Sequence, residues 1–204
     1  QEAGVSIMTV SNVVNNNLSK VSKENAARIQ EIINRRGYVP NSSARSLARS
    51  NSQIIAVVLR GGGNENALEN PHNALLVGTI IQQIQQHGYY TMLNIMHSEY
   101  EISQSLRTWN VEGAIFLGMF DDEIETMCAA SDVPMVFIDS YSSVRLLSNV
   151  GINDYKGGQL AARHLLENGH QRIAFVGPPI RGCGVVQHRY AGLCDELAAH
   201  GLSF

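Results

Sequence analysis

The sequence predicts an α/β protein, with a small all-α helix-turn-helix head, a short helical hinge and then a doubly wound parallel sheet. Three observations carry this prediction. Apolar residues in the first forty positions recur at helical spacing around a polar break. From residue 54 onward, short β-branched runs alternate with longer helical segments. The charge also changes sign along the chain: residues 1–50 hold seven basic residues against three acidic, a net +4, while the remainder holds eight against fifteen, a net −7. A basic head on an acidic body fits a protein that touches a polyanion with one end.

Composition narrows the class further. The chain has 204 residues, 44% of them apolar and 16% charged, as in an ordinary soluble globular protein with room for a real core. No apolar run approaches the roughly 20 residues that a membrane helix needs, so no membrane partner is expected. The start, Gln1-Glu2-Ala3, is acidic and polar, unlike a signal peptide. Cys128, Cys183 and Cys194 are scattered without metal-type spacing, which suits reduced core thiols in the cytoplasm.

The head begins with Ala3-Gly4-Val5-Ser6, where glycine permits a tight turn and Ser6 caps a new helix. Val10, Val13 and Val14 lie on one side of that helix, and Ile7, Met8 and Asn12 on the other. This is how the second half of a helix-turn-helix reads, with the second face available to the DNA major groove. Asn15-Asn16-Asn17 reads as a loop. Ser22 then caps a helix whose Ala26, Ile29, Ile32 and Ile33 recur at helical spacing, and Gly37 ends it after Arg35 and Arg36. Those residues are expected to close a miniature core against Val5, Val10 and Val13. Tyr38-Val39-Pro40 is extended. Asn41 precedes two potential helical turns over residues 42–49, too short to hold themselves in water and expected to fold as a hinge on binding.

In the body, 54–59 reads as a buried strand, 75–87 as a helix, 91–95 as a strand and 101–109 as a helix. Strand 113–117, helix 121–130 and strand 135–138 follow. Beyond a crossing segment at 150–154, residues 155–168 read as a helix burying Leu160, Ala161, His164 and Leu165. Residues 173–176 then read as a strand and 186–200 as a helix. A ligand is expected outside the carboxyl ends of the strands, at residues 60–73, 94–98, 118–121 and 139–142. Gly61-Gly62-Gly63 fails the dinucleotide fingerprint and reads as a flexible loop. No phosphate loop, nucleophile elbow or zinc motif occurs, and the seven histidines are dispersed. Neither catalysis, nor a metal, nor a cofactor is expected.

Ala-Gly-Val-Ser-x-x-Thr-Val-Ser, a second helix ending Arg-Gly-Tyr-x-Pro-Asn, and Ala-Arg-Ser-Leu-Ala at this distance resemble the LacI/GalR family of bacterial repressors. The resemblance places Ile7, Met8 and Asn12 at base-reading positions, and Thr9, Ser11 and Asn15 where the family contacts phosphates or supports the helix. With Ser6 they form the expected reading element, although the family commonly has arginine at Asn12. Leu47 matches the hinge leucine that wedges into the minor groove, flanked by Ala44 and Arg45. The body is similar to a periplasmic-binding-protein-like effector domain, two α/β lobes with ligand between them. Asn70-Pro71-His72-Asn73 stands where the family has Asn-Pro-aromatic-aromatic, which implies that His72 and Asn73 face the effector. Asp139 and Arg189 match pocket residues. From the residues alone, Asp139 could equally cap a turn and Arg189 could form a surface salt bridge.

The expected organisation is a helix-turn-helix head at 1–40, a hinge helix at 41–50, a first lobe at 51–152 and the start of a second lobe at 153–204. The chain begins inside the family's opening region, without a starting methionine, and stops before the second lobe is complete. It is therefore expected to be truncated at both ends, leaving Val10 and Val13 partly exposed. The expected function is a cytoplasmic repressor that binds palindromic double-stranded operator DNA as a homodimer and answers a small, sugar-like effector. The alternative is a solute-binding protein without a DNA role.

Overall fold

The computed structural model describes residues 2–39, 52–61, 67–143, 147–180 and 182–203. The expected hinge helix, with Ala44, Arg45 and Leu47, lies outside the described residues. The chain divides into two compact units, Gln1–Asn51 and Ser52–Phe204.

The first unit contains α1 (Ile7–Val14), a 3₁₀ turn (Leu18–Lys20) and α2 (Lys23–Arg36). Local chemistry sets each boundary. The Ser6 hydroxyl accepts from the Thr9 N–H at 3.1 Å, and Ser22 caps α2 by accepting from Asn25. Gly37 closes α2 in the left-handed region that glycine favours, at φ +57°. Among the described residues of this unit Val13 and Ile29 are buried, with Val10, Val14, Ile32 and Ile33 half-buried. Val13 is 6% exposed, contrary to the expectation of partial exposure, because α2 lies against α1.

The second unit is built on a five-stranded, wholly parallel sheet in the order β2-β1-β3-β4-β5. Its strands are β1 (Ile54–Arg60), β2 (Tyr90–Met96), β3 (Gly113–Leu117), β4 (Met135–Ile138) and β5 (Asn149–Val150). Strand β1, between β2 and β3, is buried on both faces. Ala56 and Val58 join Phe116 and Phe137 under α4 (Glu99–Thr108) and α5 (Asp121–Ala130). Val57 and Leu59 meet Val77 and Ile84 of α3 (Pro71–Gln86) on the opposite face. The connection after β1 leads to β2 on one side and that after β3 leads to β4 on the other, so the segments following these two strands part and leave a crevice there.

Four details differ from expectation. Helix α3 starts at Pro71 rather than 75, because the Asn70 side chain accepts from the His72 N–H at 2.9 Å and proline suits the first helical position. Strand β5, expected as part of a crossing segment, pairs with β4. Residues 173–176 form no strand: a strand needs a neighbouring strand, and among the described residues none pairs with them. Val176 is accordingly 94% exposed. Gly61, expected in a flexible loop, donates its N–H to the Met96 carbonyl at 3.0 Å and so extends the ladder beside β2.

Helix α6 (Asp154–Glu167) corrects the sequence reading most. Its buried residues are Asp154, Gly158 and Ala162, whereas Leu160, Ala161 and His164 are exposed and Leu165 is half-buried. The packing face is chosen by shape. A Cβ on Gly158 would stand 2.0 Å from the Arg189 carbonyl oxygen of α7 (Val185–Ala199). One on Gly192 would stand 2.0 Å from the Tyr155 carbonyl. The two backbones approach this closely because neither position carries a side chain. Arg163 and Glu196 fasten the same pair through Nε–Oε1 at 2.9 Å and Nη2–Oε2 at 3.1 Å, and this hydrogen bonding holds the Glu196 carboxyl below its ordinary pKa.

Candidate functional site

Two places bring candidate residues together, one in each unit. In the first unit they gather at the beginning of α1. Ile7 is 90% exposed and Met8 71% exposed, so neither is a core residue of the helical pair. Large apolar side chains in solvent on a helix whose own core is served by Val13 mark a contact surface rather than a packing surface. Around them, the Ser6 and Thr9 hydroxyls share a hydrogen bond of 2.9 Å, and Asn15 donates to the Ser11 carbonyl at 2.8 Å. Ser11 is exposed, and Asn12 and Asn15 are half-buried. Glu2, which the sequence reading left unassigned, pairs with Arg35 at 2.6 Å and Arg36 at 2.9 Å. Arg36 hydrogen-bonds its carboxylate and, with Arg35, holds it below the usual range.

In the second unit, a cleft of about 720 Å³ opens at the carboxyl ends of β1, β3 and β4. His72, Asn73, Asp139 and Arg189 all line it. The first two reach the cleft because α3 starts early and carries them in its first turn. His72 Nε2 lies 3.3 Å from Asp139 Oδ2. Asp139 ends β4 with φ +50°, a strained conformation for a residue with a side chain. Asn73 is partly committed to structure, since its Nδ2 donates to the Ala67 carbonyl at 2.9 Å.

Arg189 donates from Nε to Asp154 Oδ1 at 2.7 Å. Asp154 is 1% exposed, and its second oxygen accepts from the Tyr141 hydroxyl at 2.7 Å. Burial and that hydrogen bond push the Tyr141 phenol up to about 12. The Tyr141 ring lies against His188, with centroids 4.1 Å apart.

Side chains beyond the four named candidates also build this wall, Arg60 from within the expected segment 60–73. Arg60, at the end of β1, pairs with Glu123 at 2.8 Å and lies over the Phe120 ring, 4.3 Å from its centroid. Glu123 also accepts from the Phe120 N–H at 2.9 Å, fixing the start of α5. A signal for Arg60 was present in the sequence, as a single charge ending an otherwise apolar strand. Tyr141 falls within the expected segment 139–142 without a signal of its own, and Asp154 had none, because their importance comes from partners far along the chain.

The cleft's lining carries N–H donors at Arg60, Asn73 and Arg189 and the carboxylate acceptor of Asp139. Such a lining can hydrogen-bond a polar, hydroxyl-bearing small molecule. Among the described residues no group of three or more histidine, cysteine or acidic side chains is arranged to hold a metal ion. No helix among them is long and apolar enough to cross a membrane.

Comparison with known proteins agrees with this architecture. Residues 1–41 match the family described as bacterial regulatory proteins, lacI family. Residues 64–204 match periplasmic binding proteins and sugar binding domain of LacI family. Catabolite control protein A of Staphylococcus xylosus is 30% identical over 207 residues, covering 99% of this chain and 60% of that protein. The HTH-type transcriptional regulator PtxS of Pseudomonas putida is 27% identical over 184 residues, covering 88% and 52%. The chain thus spans 52–60% of the length of these two curated relatives. A crystal structure of the lac repressor dimer bound to operator and the anti-inducer ONPF superposes with a TM-score of 0.82 at 25% identity, covering 98% of this chain and 60% of that one. A helix-turn-helix head and a parallel-sheet effector-type unit in one chain, each matched by its own description, establish that the chain belongs to the LacI family of bacterial regulatory proteins.

Proposed function

We propose that this chain carries the DNA-reading head and part of the effector-binding domain of a cytoplasmic, non-enzymatic transcriptional repressor. It acts as a homodimer on a palindromic operator. The single observation that carries the reading is the exposed tip of α1, where Ile7 and Met8 stand in solvent on a helix capped by Ser6. An apolar tip suits thymine methyl groups and groove shape, with Ser6, Thr9, Ser11, Asn12 and Asn15 supplying polar contacts to the backbone and base edges. Leu47 serves as the minor-groove wedge of the hinge, with Ala44 and Arg45 flanking the wedge.

The organisation in this reading is a head at 1–40, a hinge at 41–50, a first lobe at 51–152 and a second lobe entered at 153–204. His72, Asn73, Asp139 and Arg189 contact the effector, a sugar or related metabolite, in the cleft. The match of residues 64–204 to a sugar-binding domain supports that class. Effector and operator affinities are coupled, and the coupling is reciprocal in free energy.

The test is a gel shift of this chain on the DNA upstream of its own gene, with and without neutral sugars and across a salt series. A retarded band is expected, weakening with salt by about 0.9 in log–log slope for each phosphate neutralised. Leu47→Ala is expected to lower operator affinity while the second unit stays folded. The absence of a shift under every condition overturns the reading.

A further inference from the structure

Among the described residues, Asp154 is the most buried acidic group of the second unit, at 1% exposure, and it stands at the first position of α6. Its two oxygens are taken by two different parts of the fold. Oδ1 accepts from Arg189 Nε on α7, and Oδ2 accepts from the Tyr141 hydroxyl in the segment after β4, each at 2.7 Å. Tyr141 lies two residues beyond Asp139, so one carboxylate ties the Asp139 side of the cleft to the Arg189 side. One turn along the same face of α6, Gly158 lets the Arg189 backbone carbonyl come within reach. The backbone of Arg189 is thus set by packing and its side chain by a charge.

We propose that Asp154 is the positioning residue of the effector cleft: it grips Arg189 by Nε, so that the guanidinium points its remaining N–H donors at the hydroxyls of a bound ligand. This rests on the cleft being an effector site. A guanidinium has five N–H donors in a rigid fork, so a partner on Nε fixes the plane in which the other four lie. A guanidinium held in this way loses less freedom on binding than one that must be ordered by the ligand. A purely structural ion pair is already present on the same two helices, between Arg163 and Glu196, and provides an internal control.

The first measurement needs no ligand. In nitrogen-15 NMR of the intact chain, the Nε–H signals of Arg189 and Arg163 are both expected to be dispersed and protected from exchange. In Asp154→Asn the Arg189 signal should collapse toward those of solvated arginines while that of Arg163 stays, showing that the helix pair is still folded. An Arg189 signal that is unchanged in Asp154→Asn overturns the proposal. If the Arg163 signal is lost too, Tyr141→Phe replaces Asp154→Asn, since it removes one of the carboxylate's two partners. It should then broaden the Arg189 signal alone, and no change in that signal overturns the proposal.

The second measurement is calorimetric titration with D-glucose, D-galactose, maltose and cellobiose as probes. Asp154→Asn is expected to weaken the probe that binds by at least tenfold, and to cost less than twofold further when Arg189 is already lysine. A loss of equal size in both backgrounds assigns Asp154 a general structural role and overturns the proposal. Binding that is indifferent to Arg189→Lys, or no binding of any probe by the unmodified chain, overturns the effector-site reading itself. The Nε–H signals still decide whether Asp154 orients Arg189.

Discussion

The head and the sheet unit hold their candidate residues by different means. In the head, α1 carries Ile7 and Met8 into solvent from a small core in which Val13 and Ile29 are the buried residues. Its fine structure is set within a few residues, by Ser6 on Thr9 and Asn15 on Ser11. In the sheet unit, the cleft stands at the end of strands buried on both faces, and its charged residues are gripped by partners far away in sequence. Arg60 meets Glu123, His72 meets Asp139, and Arg189 meets Asp154. The contrast shows where function and stability separate. A side chain that only projects from a capped helix can be changed without disturbing the core, whereas one held in a relay cannot be changed alone.

That contrast can be broken at several points, and the largest effect should come from the core of the sheet unit. Phe116 is fully buried and stacks on Phe137 with ring centroids 5.3 Å apart. Phe116→Ala should cost about 3–5 kcal/mol in urea unfolding of the second unit. It should leave the α1 and α2 amide signals unchanged in NMR.

Next comes the helix pair behind the cleft. Gly192→Ala places a methyl group 2.0 Å from the Tyr155 carbonyl, so α6 and α7 must separate. The expected loss is about 1–3 kcal/mol, the usual cost of overpacking. It should be accompanied by release of Arg189 from Asp154, seen as increased exchange of its Nε–H. A neutral effect would mean that the pair is not held through its glycines.

A smaller effect is expected at the head. Ser6→Ala removes the N-cap of α1 and should cost about 1 kcal/mol of head stability, read from the thermal melting of helical circular dichroism. The smallest should come at the tip itself. Ile7→Ala and Met8→Ala are expected to change stability by less than about 0.5 kcal/mol, because both side chains are exposed. They should nevertheless weaken operator retention in the gel shift. If either variant unfolds the head, the tip is packing surface, and the distinction between the two units fails.

Much of the fold was legible because its signals are local. Strands 113–117 and 135–138 and helix 121–130 have the bounds that their β-branched runs and acidic first turn suggest. The caps at Ser6, Ser22 and Gly37 were legible for the same reason, since a cap involves residues within one turn. The start of α3 lies ahead of the apolar periodicity that begins near Leu75, because a side-chain cap at Asn70 and a proline, not hydrophobic spacing, set it. The buried face of α6 was misread because hydrophobic periodicity favours Leu160, and a helix-packing surface made by glycine carries no hydrophobic signal.

The sequence by itself determined the helices and the first four strands, their order, and hence a parallel sheet with a crevice at its carboxyl edge. It did so because propensity, periodicity and capping act over a few residues. The tertiary structure decided that 149–150 joins the sheet while 173–176 stands unpaired, that two glycines rather than leucines join α6 to α7, and that Asp154 meets both Tyr141 and Arg189. The two Asp154 contacts alone bring together groups 13 and 35 residues apart. No local pattern encodes such a meeting; the packing of helices on the sheet creates it.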